Sequence, residues 1–334
     1  MSFAMIRGWR HWLAAGLLAC LGVGAVRSEA AETVNGDACP PAPQVLTPEQ
    51  VRAGMRDAVD HGFLWRVTKD GRSSWLYGTI HVARPSWMYP GPTVMQALAA
   101  SDVVALELDL ADPDITRRLA EAVAAPKDQA PLPPPLAARM ARQADAACFG
   151  QGLAGLRPEM QAMTLVALAG RRDGLDPAYA VDGFLAGLAH GLRKPVRSLE
   201  TPEEQIALLL QPGGDATERL VNETLDELES GRGLRTLRRL AEAWSASRFD
   251  ELGSYPRWCE CLDTEDQRAF SRRLIEARNL TLADKVKALH AGGQRAFVAV
   301  GALHMVGPQG PPALLAEAGF LVEPFGPGAI CPPR

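Results

Sequence analysis

Four apolar runs in this sequence each end in a residue of the kind that does chemistry. Trp75–Ile80 ends at His81, Val103–Leu106 at Glu107, Pro195–Leu199 at Glu200, and Phe297–Leu303 at His304. Short apolar runs bounded by polar residues read as buried strands. A buried strand cannot carry a charge in its middle without a partner. At the carboxyl end of an open α/β sheet, the same residue faces the crevice where ligands bind. Two imidazoles and two carboxylates converging there suit a divalent metal ion. They equally suit general acid–base chemistry. Asp109 lies two residues beyond Glu107, on the same face of an extended chain.

Both histidines follow a glycine by three positions, in Gly78-Thr79-Ile80-His81 and Gly301-Ala302-Leu303-His304. In an extended strand that spacing sets Gly and His on opposite faces. A residue without Cβ allows close backbone approach, or a bulge that re-aims the histidine. His61, His190 and His290 fall at or near helix ends, where a dipole role explains them. Trp87, Met88 and Tyr89 follow His81 and read as packing. The chain contains no His-Glu-x-x-His, no Gly-x-Ser-x-Gly, and no phosphate-binding glycine loop.

The elements that must position these residues follow from pattern. Thr47-Pro48-Glu49-Gln50 starts a helix with a capping box, and Thr201-Pro202-Glu203-Glu204 repeats it. Phe63–Thr68 and Ser74–Ile80 form a hairpin about Asp70-Gly71. Helical periodicity covers Ile115–Ala125, Leu136–Cys148, Pro158–Gly170, Ala178–Leu192, Ala216–Glu229, Leu234–Ser247 and a single long Thr264–His290. Strands come at Pro195–Leu199, Arg295–Leu303 and Phe320–Pro324, with a short helix at Pro311–Ala318. Strands at both ends with helices between them predict one α/β domain over residues 47–325, with helical insertions at about 111–193 and 202–290.

Arg7 and Arg10 precede an apolar run from Trp12 to Val26, and Ser28-Glu29-Ala30 has small residues flanking a cleavage point. This is the layout of a secretory signal peptide over residues 1–30, too short for a membrane span. It predicts a periplasmic or secreted protein. The apolar run continues past Cys20, which disfavours lipid anchoring there. Residues 31–46 read as a linker and 326–334 as a tail. Cleavage removes Arg7, Arg10, Arg27 and Glu29, taking the net charge from −4 to −6. No basic stripe remains for nucleic acid. Export permits disulfides. Cys39 and Cys331 sit in Pro-rich segments at the two ends, and a bridge between them is one of the pairings that the sequence leaves open; five mature cysteines leave at least one free or paired outside the chain. Cys259-Glu260-Cys261 is too cramped for an ordinary mutual bridge.

Gly78-Thr79-Ile80-His81, Leu106-Glu107, Leu199-Glu200-Thr201, Arg278-Asn279 and Gly301-Ala302-Leu303-His304 together resemble the TraB/GumN family, over roughly residues 47–325. That family is related to the Tiki ectodomain proteases and, more remotely, to erythromycin-esterase-like and ChaN-like proteins. The resemblance implies a central mixed sheet formed by two related halves, each supplying one Gly-x-x-His. It implies a metal-dependent hydrolase of peptidase type. His81 and His304 would be imidazole ligands, Glu107 a ligand or base, and Glu200 a second carboxylate near the metal. Arg278 and Asn279 would stabilise an oxyanion, and Asp182 would hold a ligand histidine. Such a ligand set suits Zn, Mn or Co, with a peptide or small molecule as substrate. Two alternatives carry over with the remoter relatives: a metal-free esterase using histidine as general base, and a non-catalytic protein binding haem or another small ligand.

Overall fold

The structure is a computed structural model, and residues 39–211 and 213–326 are described. The expected signal peptide, the first half of the linker, Cys331 and nearly all of the C-terminal tail lie outside the described residues.

The strands are β1 (Phe63–Lys69), β2 (Arg72–Thr79), β3 (Val103–Leu106), β4 (Val196–Ser198), β5 (Ala296–Gly301) and β6 (Leu321–Pro324). They form one mixed sheet in the order β4-β3-β5-β2-β1-β6. The β1–β2 hairpin turns through Asp70 at φ 49° and Gly71 at φ 73°. Both signs are those of the tight turn that matches strand twist, and Asp-Gly tolerates them. β6 pairs antiparallel with β1. β2, β5, β3 and β4 run parallel to one another. Their carboxyl ends therefore come out on one edge of the sheet, in the order Glu200, Glu107, His304, His81.

The β3 exit leads outward to β4, whereas the β5 exit leads the other way to β6. The two loops part between β3 and β5, and that divergence opens a crevice. β3 is buried throughout and β5 at all but its last residue. A strand covered on both faces has no use for polar alternation, hence the unbroken apolar runs.

Helices fill both long crossovers. The β3–β4 connection contains Pro113–Val123, Pro134–Ala146, Pro158–Leu168 and Val181–Gly191. The β4–β5 connection contains Pro202–Leu209, Gly214–Glu229, Arg232–Ser245, Glu265–Leu274 and Glu276–Ala291. Many of these helices gather a second apolar core, around Leu119, Met140, Met160, Ile206, Val221 and Leu225. Capping boxes start the helices after Thr47, Thr201 and Thr264. Among the described residues no helix is long and apolar enough to cross a membrane.

Two expectations are corrected, and one open pairing is decided. The expected helix Thr264–His290 is two helices, broken at Ile275 with φ −115° and ψ −72°. Cys39 is bridged to Cys148 rather than to Cys331, with Cα atoms 5.6 Å apart. Cys259 and Cys261 are bridged to each other, their Cα atoms 5.1 Å apart. The intervening Glu260 lets the chain bend enough to reach ordinary disulfide separation.

Candidate functional site

β2 stops at Thr79, so His81 stands in the loop just past the strand. β5 stops at Gly301, and His304 belongs to the 3-10 turn Ala302–Met305 that follows. The tight turn, rather than strand alternation, aims His304. Around Gly301 the groups converge. A Cβ placed there would lie 3.4 Å from Glu107 Oε1, 3.4 Å from His81 Nε2 and 3.7 Å from His304 Cδ2. Only glycine leaves that space open, which is the physical content of the second Gly-x-x-His. Gly78 serves differently. A Cβ there would meet Ala302 Cα at 3.1 Å, so this glycine lets the 3-10 turn pack onto β2.

Each imidazole is held by its Nδ1. His81 Nδ1 donates to Asp182 Oδ1 at 3.1 Å, from the first turn of the helix Val181–Gly191. His304 Nδ1 donates to Asn279 Oδ1 at 2.7 Å, from the helix Glu276–Ala291. A proton fixed on Nδ1 leaves Nε2 as the working nitrogen of both rings.

The carboxylates are held by other means. Glu107 Oε1 accepts the Gly301 backbone N–H at 2.7 Å, and its Oε2 accepts from Arg278 Nη2 at 2.5 Å and Gln205 Nε2 at 3.1 Å. Glu200 accepts from Arg278 Nε at 2.8 Å, from Arg278 Nη2, and from Gln205 Nε2 at 2.8 Å. Arg278 thus lies between two buried carboxylates, a planar fork matched to planar acceptors. Its Nη1 donates to the Leu274 carbonyl. In the structure Arg278 is bonded to the carboxylates and Asn279 to His304.

Electrostatics drives the two histidines apart. Burial would lower the pKa of His81, but the Asp182 charge and hydrogen bond, with Glu107, outweigh it and raise it to about 9. Burial lowers that of His304 to about 4, with Arg278 and His81 acting in the same direction. Burial would raise Glu107, but Arg278, His304, His81 and the Gly301 N–H bring it down to about 2. At neutral pH the cluster is therefore an imidazolium, a carboxylate and a neutral imidazole. Environments that separate two titrating groups in this way assign one as acid and the other as base.

Asp109 leaves this cluster. The chain past Leu106 is no longer strand, and Asp109 turns to accept from His190 Nε2 at 2.7 Å. His61 Nδ1 donates to the Ser245 carbonyl, and His290 packs edge-on against Phe320. Met88 and Tyr89 are buried in a small apolar cluster with Val51 and Tyr179.

Sequence reading missed Gln205 and Trp244. Gln205 shares the buried face of its helix with Pro202, Ile206 and Leu209. A glutamine in an apolar i, i+3, i+4 stripe was the available signal. Its Nε2 serves both carboxylates, and its buried Oε1 has no protein partner among the described residues. Trp244 is fully buried and donates from Nε1 to the Gly78 carbonyl at 2.7 Å, bracing the end of β2. Nothing in its local sequence marked it.

The model of the TraB/PrgY/gumN family matches residues 63–324. The chain is 29% identical over 250 residues to a protein of Shigella flexneri called uncharacterized protein YbaP, covering 73% of this chain and 88% of that one. It is 34% identical over 158 residues to the protein of the same name from Escherichia coli K12, covering 46% of this chain and 54% of that one. No solved structure matches the chain.

Proposed function

For this chain, which belongs to the TraB/PrgY/gumN family, we propose an exported hydrolase of amide or ester bonds with its centre at His81, Glu107 and His304. One observation carries the reading: two imidazoles, each pinned at Nδ1, border the same open space above Gly301 as a carboxylate oxygen. His304, neutral at pH 7, takes a proton from water at Nε2 as the water oxygen adds to the carbonyl carbon. His81, protonated, gives its Nε2 proton to the departing nitrogen or oxygen as that bond breaks. Bulk water then restores both rings to their starting states. Glu107, held ionised by Arg278 and Gly301, stabilises the positive charge on either ring. General acid–base catalysis of this kind supplies on the order of 10²–10⁴ in rate.

The second reading is metal-dependent, and the Nδ1 hydrogen bonds favour it, because histidines that ligate metals are oriented in this way. His81 Nε2, His304 Nε2 and Glu107 Oε1 would hold a divalent ion such as Zn, Mn or Co, which would supply Lewis acidity. Glu200 does not fit as a ligand, since Arg278 and Gln205 hold it back from the cavity that Glu107 lines. Among the described residues no group of three or more His, Cys, Asp or Glu stands close enough together to hold an ion. The acid–base form uses the three residues where they stand. The Cys39–Cys148 bridge supports export, since such bonds persist in oxidising compartments.

Elemental analysis and turnover of a panel of chromogenic esters and amides would be measured together, for wild type and for His81→Ala and His304→Ala. Loss of turnover in both variants with the fold retained is expected. Full activity after exhaustive chelation selects the acid–base form. One equivalent of metal in wild type, lost in both variants along with turnover, selects the metal form. Wild-type turnover in both variants overturns the proposal.

A further inference from the structure

The site opens into a cavity of about 750 Å³, toward the upper end of the range for small-molecule pockets. His81, Glu107, Gly301 and His304 line one part of it. Helices of the β4–β5 crossover, between Pro202 and Leu274, form most of the rest. Leu208, Leu220, Leu237, Leu240, Phe270 and Ile275 line the cavity and are only partly buried, so apolar surface faces its interior. Arg219 and Asp266 also line it and are exposed, which places its opening on their side.

The walls decide between two kinds of occupant. Backbone N–H and C=O groups inside a helix are spent on the helix itself. The strand residues that reach the cavity, Thr79 and Gly301, belong to β2 and β5, which are paired on both sides. No strand edge is therefore offered to a bound chain there. An extended peptide would find no backbone ladder there and would have to pair its amides with scattered side chains such as Gln211, Thr224 and Gln267, an unmade bond costing on the order of 1–3 kcal/mol. An aliphatic chain has no such groups and gains from every methylene it removes from water. Charged residues of both signs, Glu223, Glu227 and Asp266 beside Arg219 and Arg273, line the same wall, so the apolar lining selects the chain and not the charge of its far end.

We infer that the substrate carries a linear aliphatic chain beside the bond that is broken, and that this leucine-lined cavity is the chain's binding site. The identity of the broken bond rests on the hydrolase reading; the chain site does not.

The test is titration calorimetry of the full chain with 2-alkanones of six to fourteen carbons, which have a carbonyl and a chain but no leaving group. The dissociation constant is expected to fall roughly fourfold per added methylene until the cavity is full. Leu240→Trp and Leu220→Trp, each checked for a wild-type melting transition, fill the cavity. Either should weaken 2-dodecanone at least tenfold and leave 2-hexanone nearly unchanged. If one variant fails to fold, the other serves. A constant independent of chain length, or wild-type binding of 2-dodecanone in the folded variants, overturns the inference. Chain-length dependence with no turnover of p-nitrophenyl decanoate leaves the chain site standing and removes the hydrolase reading. Turnover with no chain-length dependence does the reverse.

Discussion

Glu107 Oε1 accepts the backbone N–H of Gly301 at 2.7 Å, tying the end of β3 to the end of β5 across the crevice between them. The bond fixes a carboxylate beside the one residue whose missing side chain leaves the site open. Gly301 has φ −51° and ψ 137°, a conformation any residue adopts. Gly301→Ala should therefore fold with less than about 1 kcal/mol lost. Its methyl would stand 3.4 Å from both Glu107 Oε1 and His81 Nε2, where substrate or water must go. Turnover should drop roughly 10²-fold, in line with the cost of small misplacements at reacting centres. Denaturation and kcat/KM on the same preparation separate the two effects, and unchanged turnover would show that the space above Gly301 is not used.

Arg278 is the only cation bonded to Glu107 and Glu200 among the described residues, and all three side chains are largely buried. Removing one partner of a buried ion pair leaves an uncompensated charge. Arg278→Gln should lower stability by on the order of 3–5 kcal/mol. Arg278→Gln combined with Glu200→Gln should recover part of that. Urea unfolding at pH 7 measures both, and additive losses would refute the shared network.

The titrations set a pH window for the metal-free protein. Glu107 is lowered from 4.5 to about 2, so its contribution is present above 4.5 and lost as pH falls toward 2. His304 is lowered from 6.5 to about 4, so the native state rejects its proton and stability rises with pH between 4 and 6.5. His81 is raised from 6.5 to about 9, so its contribution is present below 6.5 and lost as pH rises to 9. Stability should peak near pH 6–7, read from urea midpoints across the range.

Turnover by the acid–base form should show a bell with an acid limb near 4, where His304 protonates, and an alkaline limb near 9, where His81 loses its proton. The three groups interact, so the limbs belong to the cluster. A metal held on both imidazoles would compete with protons for His81 and abolish the limb near 9. The pH–rate profile, with and without chelator, tells the two forms apart.

The Cys39–Cys148 bridge closes a span of 109 residues. Replacing both cysteines by serine should cost about 2–5 kcal/mol, mainly by freeing the unfolded chain. kcat should not change, since neither residue lines the cavity. A loss of kcat at full stability would contradict the separation of bridge and site.

Much of the candidate site was legible in the sequence. An apolar run ending in a charge marks a strand end, because burial forbids the charge further in; this identified His81, Glu107, Glu200 and His304. Asp-Gly between two alternating runs fixed the hairpin, and Thr-Pro-x-Gln and Thr-Pro-Glu-Glu fixed two helix starts. These signals are local, since each depends on the conformation of a few adjacent residues.

What failed, or was not foreseen, depends on distance in the chain. The break at Ile275 interrupts a run whose helical periodicity is continuous, so only packing reveals it. Cys39 pairs with Cys148, 109 positions away, because the fold brings those two sulfurs together and spacing alone does not. Asp109 shares an extended face with Glu107 on paper. The strand ends at Leu106, and the side chain goes to His190.

The sequence by itself determined which residue types stand at the ends of buried strands, because hydrophobic periodicity and the cost of burying charge act residue by residue. Only the tertiary structure decided what those residues do for one another. The strand order sets Glu200, Glu107, His304 and His81 side by side, and Arg278 comes from a distant helix to neutralise the carboxylates. The opposite shifts of His81 and His304 arise from charges far apart in sequence and near in space.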